Sequence, residues 1–137
     1  YLTGFTNSGH PLAMAACLAA IHAYENEGIC ENVNLVSDRM LTNLQAAAEQ
    51  SDYIGEVSGK GLMIGVDLVK DRSTGEPVGG EICQQIVGKA LESGLLLRAR
   101  GSRLSISPPL NITAAEADTI CAGLLDATAS ICGQIGA

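Results

Sequence analysis

Tryptophan is absent from this 137-residue chain, while phenylalanine occurs once and tyrosine three times. A core must therefore be built from leucine, isoleucine, valine and alanine. Basic residues are also few, since 8 lysines and arginines stand against 15 aspartates and glutamates, for a formal net charge of −7. Nucleic-acid binding needs clustered lysine and arginine, so this charge argues against that class of protein.

Long apolar runs are missing as well, because no stretch reaches the roughly 18–20 residues that a membrane-spanning helix needs. No signal peptide is visible either. The five cysteines are widely spaced, and none makes the close spacing that is typical of a metal site. This cysteine usage predicts free thiols in a reducing cytosol, with no bound metal.

The residues that are present predict helices and strands by their apolar spacing. Helices are predicted over 11–27, 31–50, 80–93 and 113–132, and strands over 62–69, 95–98 and 103–107. Residues 70–80 are polar and rich in turn formers, which predicts a surface loop. This order of elements predicts an α+β fold, in which a short, mostly antiparallel sheet packs against helices.

Three local signals refine these elements. Residues 55–61 are interpreted as a glycine-punctuated loop with only a short extended piece at Val57. Pro11 suits the first turn of a helix, and His10 before it is interpreted as a structural cap. Thr113 and Glu116 have the spacing of a capping box, so they predict the start of the last helix.

The opening stretch combines small residues with a helix start. Thr6 and Ser8 offer hydroxyl groups, Gly4 and Gly9 allow a ligand close to the backbone, and a helix N-terminus favours negative charge. An anion such as phosphate could bind there. The alternative is that Thr6 and Ser8 only satisfy a turn.

Three stretches of the chain, taken in order, resemble the motifs of one enzyme family. They are GFTNSGHPLAMAACLAAI from Gly4, GEVSGKGLMIGVDLV from Gly55 and ESGLLLRARGSRLSISPPLNITAAEAD from Glu92. They are similar to the motifs G-F-T-x-S-G-H-P, G-x-V-R-G-x-G-L-M and G-L-x-x-R … P-P-L-x-I-T-x-x-E-x-D. These motifs belong to class III pyridoxal-phosphate aminotransferases, the fold-type-I group that contains the omega-transaminases.

The resemblance implies a fold and a cofactor site. It implies that residues 1–30 form the end of a large domain and its connecting helix, and that residues 31–137 form the small C-terminal domain. It further implies that Thr6 binds the phosphate of pyridoxal 5′-phosphate held by the partner subunit of a homodimer. Phe5 would line the same edge of that site. We do not expect these residues alone to bind the cofactor.

Arg98 follows an apolar row and is predicted to end a short strand. The resemblance implies that this arginine binds the carboxylate of the substrate, which suits a planar guanidinium. Arg100 and Arg103 lie close enough in sequence to substitute, and all three could instead be solvated loop charges. Ser105 stands where relatives that act on alpha-amino-acid or gamma-aminobutyrate-type substrates often carry arginine, and this departure favours the omega-amino-acid, amine:pyruvate type.

The lysine that forms the Schiff base is not expected in this chain. Relatives carry it upstream of the opening loop, and none of the three lysines present, Lys60, Lys70 and Lys89, matches its position. The chain also begins at Tyr1 without methionine, which we interpret as a sign that it is the C-terminal part of a longer protein. These 137 residues alone are therefore expected to be inactive.

The favoured hypothesis is an enzyme that transfers an amino group from an amine or omega-amino acid to a keto acid such as pyruvate. A second hypothesis is a stand-alone α+β module that binds a partner through its exposed, alanine-rich first helix. A third is an aminomutase, decarboxylase or racemase built on the same fold and using the same cofactor.

Overall fold

The computed structural model describes residues 4–134, and the structural statements below concern that range. Helices and strands alternate irregularly along it. Their bounds are α1 Pro11–Asn26, α2 Ile29–Glu49, β1 Ile54–Lys60, β2 Met63–Asp71, β3 Glu76–Pro77, α3 Gly80–Glu92, β4 Arg98–Arg100, β5 Arg103–Ile106 and α4 Ala114–Cys132.

The strands form a sheet in the order β1-β2-β5-β4, with every neighbouring pair antiparallel. The two-residue strand β3 pairs with the far end of β2. Helices α2, α3 and α4 pack together on one side of this sheet. The prediction of a short antiparallel sheet packed against helices is therefore confirmed.

The core lies between the sheet and these three helices. Alternate residues of β2 and β5 point towards the helices and are buried, as the period of two in a strand requires. The residues in this layer with no exposed surface or almost none include Val66, Leu68, Leu104, Met40, Leu44, Ile86 and Leu124. No aromatic side chain is among the buried residues of the described range, as the composition predicts.

The prediction of a loop over residues 55–61 is wrong, because β1 is a seven-residue strand. Its glycines allow close pairing with β2 instead of breaking the strand. A Cβ atom on Gly59 would lie 2.5 Å from the carbonyl oxygen of Met63, and one on Gly55 would lie 2.8 Å from Cγ1 of Val69. Glycine in a strand marks such close approach as readily as it marks a turn.

The prediction of a strand over residues 95–98 is also wrong, since β4 begins at Arg98 and continues to Arg100. Leu95 instead donates its N–H to the carbonyl of Ala90 at 3.0 Å, which closes the end of α3. The pairing partner β5 ends at Ile106, shortly before two prolines, so it offers no ladder to residues further back. Arg98 therefore starts its strand.

Two helix starts behave differently. The capping box of α4 is confirmed, because Glu116 donates its backbone N–H to Oγ1 of Thr113 at 3.3 Å and its carboxylate accepts the N–H of Thr113 at 2.9 Å. His10 occupies the N-cap position of α1, but its side chain makes no capping hydrogen bond. Pro11 stands in the first turn of that helix, as predicted.

Helix α1 stands apart from the core. None of its residues is buried, although its sequence is mostly apolar. The exposed fractions of its large side chains are 75% for Leu12, 55% for Leu18 and 52% for Ile21. No helix in residues 4–134 is long and apolar enough to cross a membrane.

Candidate functional site

The face of the sheet that turns away from the helices carries polar side chains. Antiparallel pairing places these side chains in two rows that each cross four strands. In strand order β1-β2-β5-β4, the first row is Ser58, Gly65, Ser105 and Arg98, and the second row is Glu56, Asp67, Arg103 and Arg100. Three arginines thus meet on one part of an otherwise acidic protein.

A cleft of about 490 Å³ lies over this part of the sheet. Arg98, Arg100 and Arg103 all line it, together with Ser105 and residues of β2. The structure therefore brings together the three arginines that are candidates from the sequence. Their positive charge and the serine hydroxyl could receive a carboxylate.

Arg103 is already engaged. Its guanidinium pairs with the carboxylate of Asp67, and its Nη2 donates to Oγ of Ser58 at 2.8 Å. Gly65 lies beneath it, because a Cβ atom at that position would overlap the guanidinium of Arg103. The suggestion that Arg103 could replace Arg98 as a free carboxylate-binding group does not fit this arrangement.

Arg98 and Arg100 remain exposed, and neither forms an ion pair with another residue in 4–134. They lie two residues apart on the same edge strand, so both side chains leave the same face. Their guanidinium groups are available to an anion. Whether a substrate carboxylate is that anion stays a prediction.

The opening loop leads into α1 through a tight turn. Ser8 accepts the backbone N–H of Phe5 at its Oγ, at 2.9 Å, and donates its own N–H to the carbonyl of Phe5 at the same distance. Gly9 has a φ of 75°, in the left-handed region that favours glycine. Ser8 therefore satisfies a turn, as the alternative interpretation of this loop predicts for it.

Thr6 and Phe5 lie on the outside of this turn. Both are exposed, and the Phe5 side chain is 84% exposed, which is unusual for the only phenylalanine of the chain. Neither residue lines the arginine cleft. The structure thus presents two separate candidate surfaces, and each is open to a ligand or to another polypeptide.

The lysines are poor candidates for covalent chemistry. Lys70 pairs with Glu76, and Lys89 donates to Glu92 at 2.7 Å. Lys60 is exposed at the end of β1. A nucleophilic lysine is activated by an apolar pocket or by a neighbouring cation, and these three have neither.

The three buried cysteines also lack the features of reactive groups. Cys83 and Cys121 are buried, and burial raises the pKa of each thiol to about 11. Cys132 is buried and its thiol pKa is raised for the same reason. In residues 4–134, no group of three histidine, cysteine or acidic side chains could hold a metal ion.

A larger cleft, of about 780 Å³, lies between the end of α3, the loop after β5 and α4. Its lining contains Glu116 and Asp126 but no basic residue, so it does not suit an anionic substrate. For that reason the smaller arginine cleft is the stronger candidate.

The sequence alone does not reveal the Asp67–Arg103 pair. These residues are 36 positions apart, and only the register of β2 with β5 places them opposite each other. Gly65 was the available signal, since a glycine in the middle of a strand often marks close approach by another group.

Comparison with known proteins gives a consistent result. Residues 3–128 match the Aminotransferase class-III family. The chain is 37% identical over 117 residues to taurine–pyruvate aminotransferase from Bilophila wadsworthia, covering 80% of this chain and 26% of that protein. It is 40% identical over 121 residues to leucine/methionine racemase from Thermococcus litoralis, covering 88% of this chain and 26% of that protein.

A solved structure agrees with these sequences. An amine transaminase from an uncultivated Pseudomonas species, crystallised in its PLP-bound form, superposes with a TM-score of 0.88 at 38% identity. The match covers 95% of this chain and 30% of that one. The chain spans about a quarter of the length of the curated relatives.

Proposed function

Because this chain belongs to the class-III aminotransferase family, we propose that it forms the C-terminal part of an enzyme that transfers an amino group from an amine or omega-amino acid to a keto acid such as pyruvate. The observation that carries the proposal is the open arginine cleft on a sheet whose fold matches that of an amine transaminase. The likeness to taurine–pyruvate aminotransferase favours pyruvate as the acceptor.

The chain would contribute to two domains of the enzyme. Residues 31–137 would be the small C-terminal domain, because α2 to α4 and the sheet share one core. Residues 1–30 would belong to the end of the large domain. In support, α1 is apolar but buries none of its residues here, as expected for a helix that would pack against the large domain.

Pyridoxal 5′-phosphate would be the cofactor, and it would supply an electron sink for the amino group's carbon. The residues of the opening loop fit its phosphate: Thr6 presents a hydroxyl outside the turn, and a helix N-terminus follows at α1. Thr6 would bind the phosphate held by the second subunit of a homodimer, with Phe5 packing at the same edge. The exposure of both side chains is compatible with contact to another chain.

Arg98 would bind the carboxylate of the substrate through a two-pronged hydrogen bond, which orients the amino group. The proton shuttle would be a lysine outside these 137 residues, because none of the three lysines here is placed for that work. Free cysteines would be compatible with a cytosolic enzyme.

A racemase is the second candidate, because the identity to the leucine/methionine racemase is as high as 40%. The two activities leave different products. A transaminase forms alanine from pyruvate when it is given an amine donor, whereas a racemase inverts leucine or methionine and forms no alanine.

The test uses the enzyme that contains this segment, supplied with the cofactor, pyruvate and an amine donor. We expect alanine to accumulate in step with loss of the donor. Inversion of an amino acid without alanine would replace the transaminase assignment by the racemase one.

A matched pair of variants tests the role of Thr6. Thr6→Val removes the hydroxyl at nearly constant volume and should weaken cofactor affinity about tenfold, as expected for a hydrogen bond to a charged group. Thr6→Ser keeps the hydroxyl and should bind close to the wild-type level. Equal affinities in all three proteins would remove Thr6 from the phosphate site.

A further inference from the structure

Arg98 and Arg100 stay without an acidic partner although the chain carries almost two acids for every base. We infer that Arg103 is a positioning residue that keeps Arg98 and Arg100 free of an acidic partner. By neutralising Asp67, it leaves the guanidinium groups of Arg98 and Arg100 free for a substrate carboxylate. This inference rests on the proposed function and deepens it.

The cross-strand row explains why Asp67 would otherwise compete. Asp67, Arg103 and Arg100 are direct neighbours in one row, with neighbouring strands about 4.8 Å apart. Arg103 lies between the other two. Without its guanidinium, Asp67 would be the first carboxylate that Arg100 meets along this row and would attract it.

The fixed place of Arg103 follows from three residues around it. Asp67 and Ser58 hold the guanidinium from two sides, and Gly65 leaves space for it to lie flat on the sheet. The guanidinium therefore points along the sheet towards β1, away from β4. Arg98 and Arg100 are left as the exposed cations of the cleft.

The charges at the cleft give a quantitative expectation. The three guanidinium groups that line the cleft and the Asp67 carboxylate that pairs with Arg103 carry a joint charge of +2. Arg103→Gln lowers this charge by one, and Asp67→Asn raises it by one. The double variant restores +2 and removes the competing carboxylate together with its partner.

The experiment measures the binding of propionate to the 15N-labelled 137-residue chain by NMR titration at low salt, where surface charges are least screened. Propionamide, which has the same shape without the charge, serves as the control probe. The signals followed are the backbone amides and Nε–H groups of Arg98 and Arg100. Thermal unfolding of each variant is recorded in parallel.

We expect the dissociation constant to rise about threefold in Arg103→Gln and to fall about threefold in Asp67→Asn, as for one unit charge about 7 Å away in water. The double variant should bind like the wild type. Among the three variants, only Arg103→Gln should shift the Nε–H signal of Arg100. In that variant the Asp67 carboxylate becomes the partner of the Arg100 guanidinium.

If the Asp67–Arg103 ion pair only maintains the fold, the affinities for propionate should follow another pattern. In that case Asp67→Asn and Arg103→Gln would both weaken propionate binding, and this result would overturn the inference. Absence of a propionate-dependent shift in the wild-type chain would overturn it as well. If the expected order of affinities holds but the enzyme forms no alanine, only the proposed function fails, and the charge balance of the cleft stands.

Discussion

The two faces of the sheet follow different rules. The face that meets α2, α3 and α4 is apolar, closed and without exposed surface at residues such as Val66 and Leu104. The opposite face carries hydroxyls, carboxylates and guanidinium groups over a glycine. The first face maintains the fold, whereas the second face leaves Arg98 and Arg100 free of acidic partners. Adjacent residues on β5 therefore have unrelated functions.

The largest expected effect tests this contrast on adjacent residues. Leu104→Ala removes a fully buried side chain and should lower the free energy of unfolding by about 2–5 kcal/mol, because a cavity remains in the core. Ser105→Ala, one residue further on the open face, should change it by less than about 0.5 kcal/mol. Urea unfolding of both variants measures the difference, and similar losses would mean that the faces are not distinct.

The next effect concerns function instead of stability. Arg98→Ala should raise the KM for donors that bear a carboxylate by about tenfold or more, since a hydrogen bond to a charged group contributes about 1.5–3 kcal/mol. Simple amines should keep their KM. Steady-state assays of the enzyme that contains this segment measure both.

Lys89→Ala is the matched control for Arg98→Ala, because it removes one positive charge from α3, away from the cleft. It should leave both kinds of donor unaffected. An equal loss for carboxylates and amines in Arg98→Ala would remove this residue from substrate binding.

The sequence predicts one of these two faces better than the other. The covered face follows local patterns, since apolar residues alternate over 62–69 and recur at helical spacing through Met40 and Leu44. The open face depends on which strands are neighbours and in what register. The Asp67–Arg103 pair joins β2 and β5 across 36 positions, so no local pattern could show it.

Glycine explains one of the two remaining errors. Gly55 and Gly59 were interpreted as loop residues, although they allow close strand pairing. The start of β4 was missed because Leu95 closes the preceding helix instead of pairing with β5. By contrast, Thr113 and Glu116 were predicted correctly because a capping box is encoded within four residues.

A smaller effect is expected at that capping box, which starts α4 beneath the covered face. Thr113→Ala should lower the free energy of unfolding by about 1 kcal/mol, because it removes an N-cap hydroxyl. Thr113→Ser keeps the hydroxyl and should retain most of the stability. Urea unfolding at pH 7 tests the pair, and a loss of the same size in Thr113→Ser would exclude capping as the cause.

The smallest effect is a pH dependence from the same box. The backbone N–H and the hydroxyl of Thr113 hold the pKa of Glu116 below its ordinary value of 4.5. The folded state therefore binds this proton more weakly than the unfolded state does. The stabilisation is complete above pH 4.5 and is lost as the pH falls through the lowered pKa.

Glu116→Gln removes that titration. Its unfolding midpoint should lie below that of the wild type at pH 7, and the two should converge as the pH falls through the lowered pKa of Glu116. If the unfolding midpoints of the two proteins differ by the same amount at every pH, Glu116 does not contribute to stability through its charge.

The most direct test of the account is a crystal structure of the enzyme that contains this segment, with pyridoxal phosphate and a donor that bears a carboxylate. We predict that the open face of the sheet covers the bound donor, with the Arg98 guanidinium on its carboxylate and the Thr6 hydroxyl on the cofactor phosphate of the other subunit. A donor bound elsewhere, with Arg98 in solvent, would contradict the account.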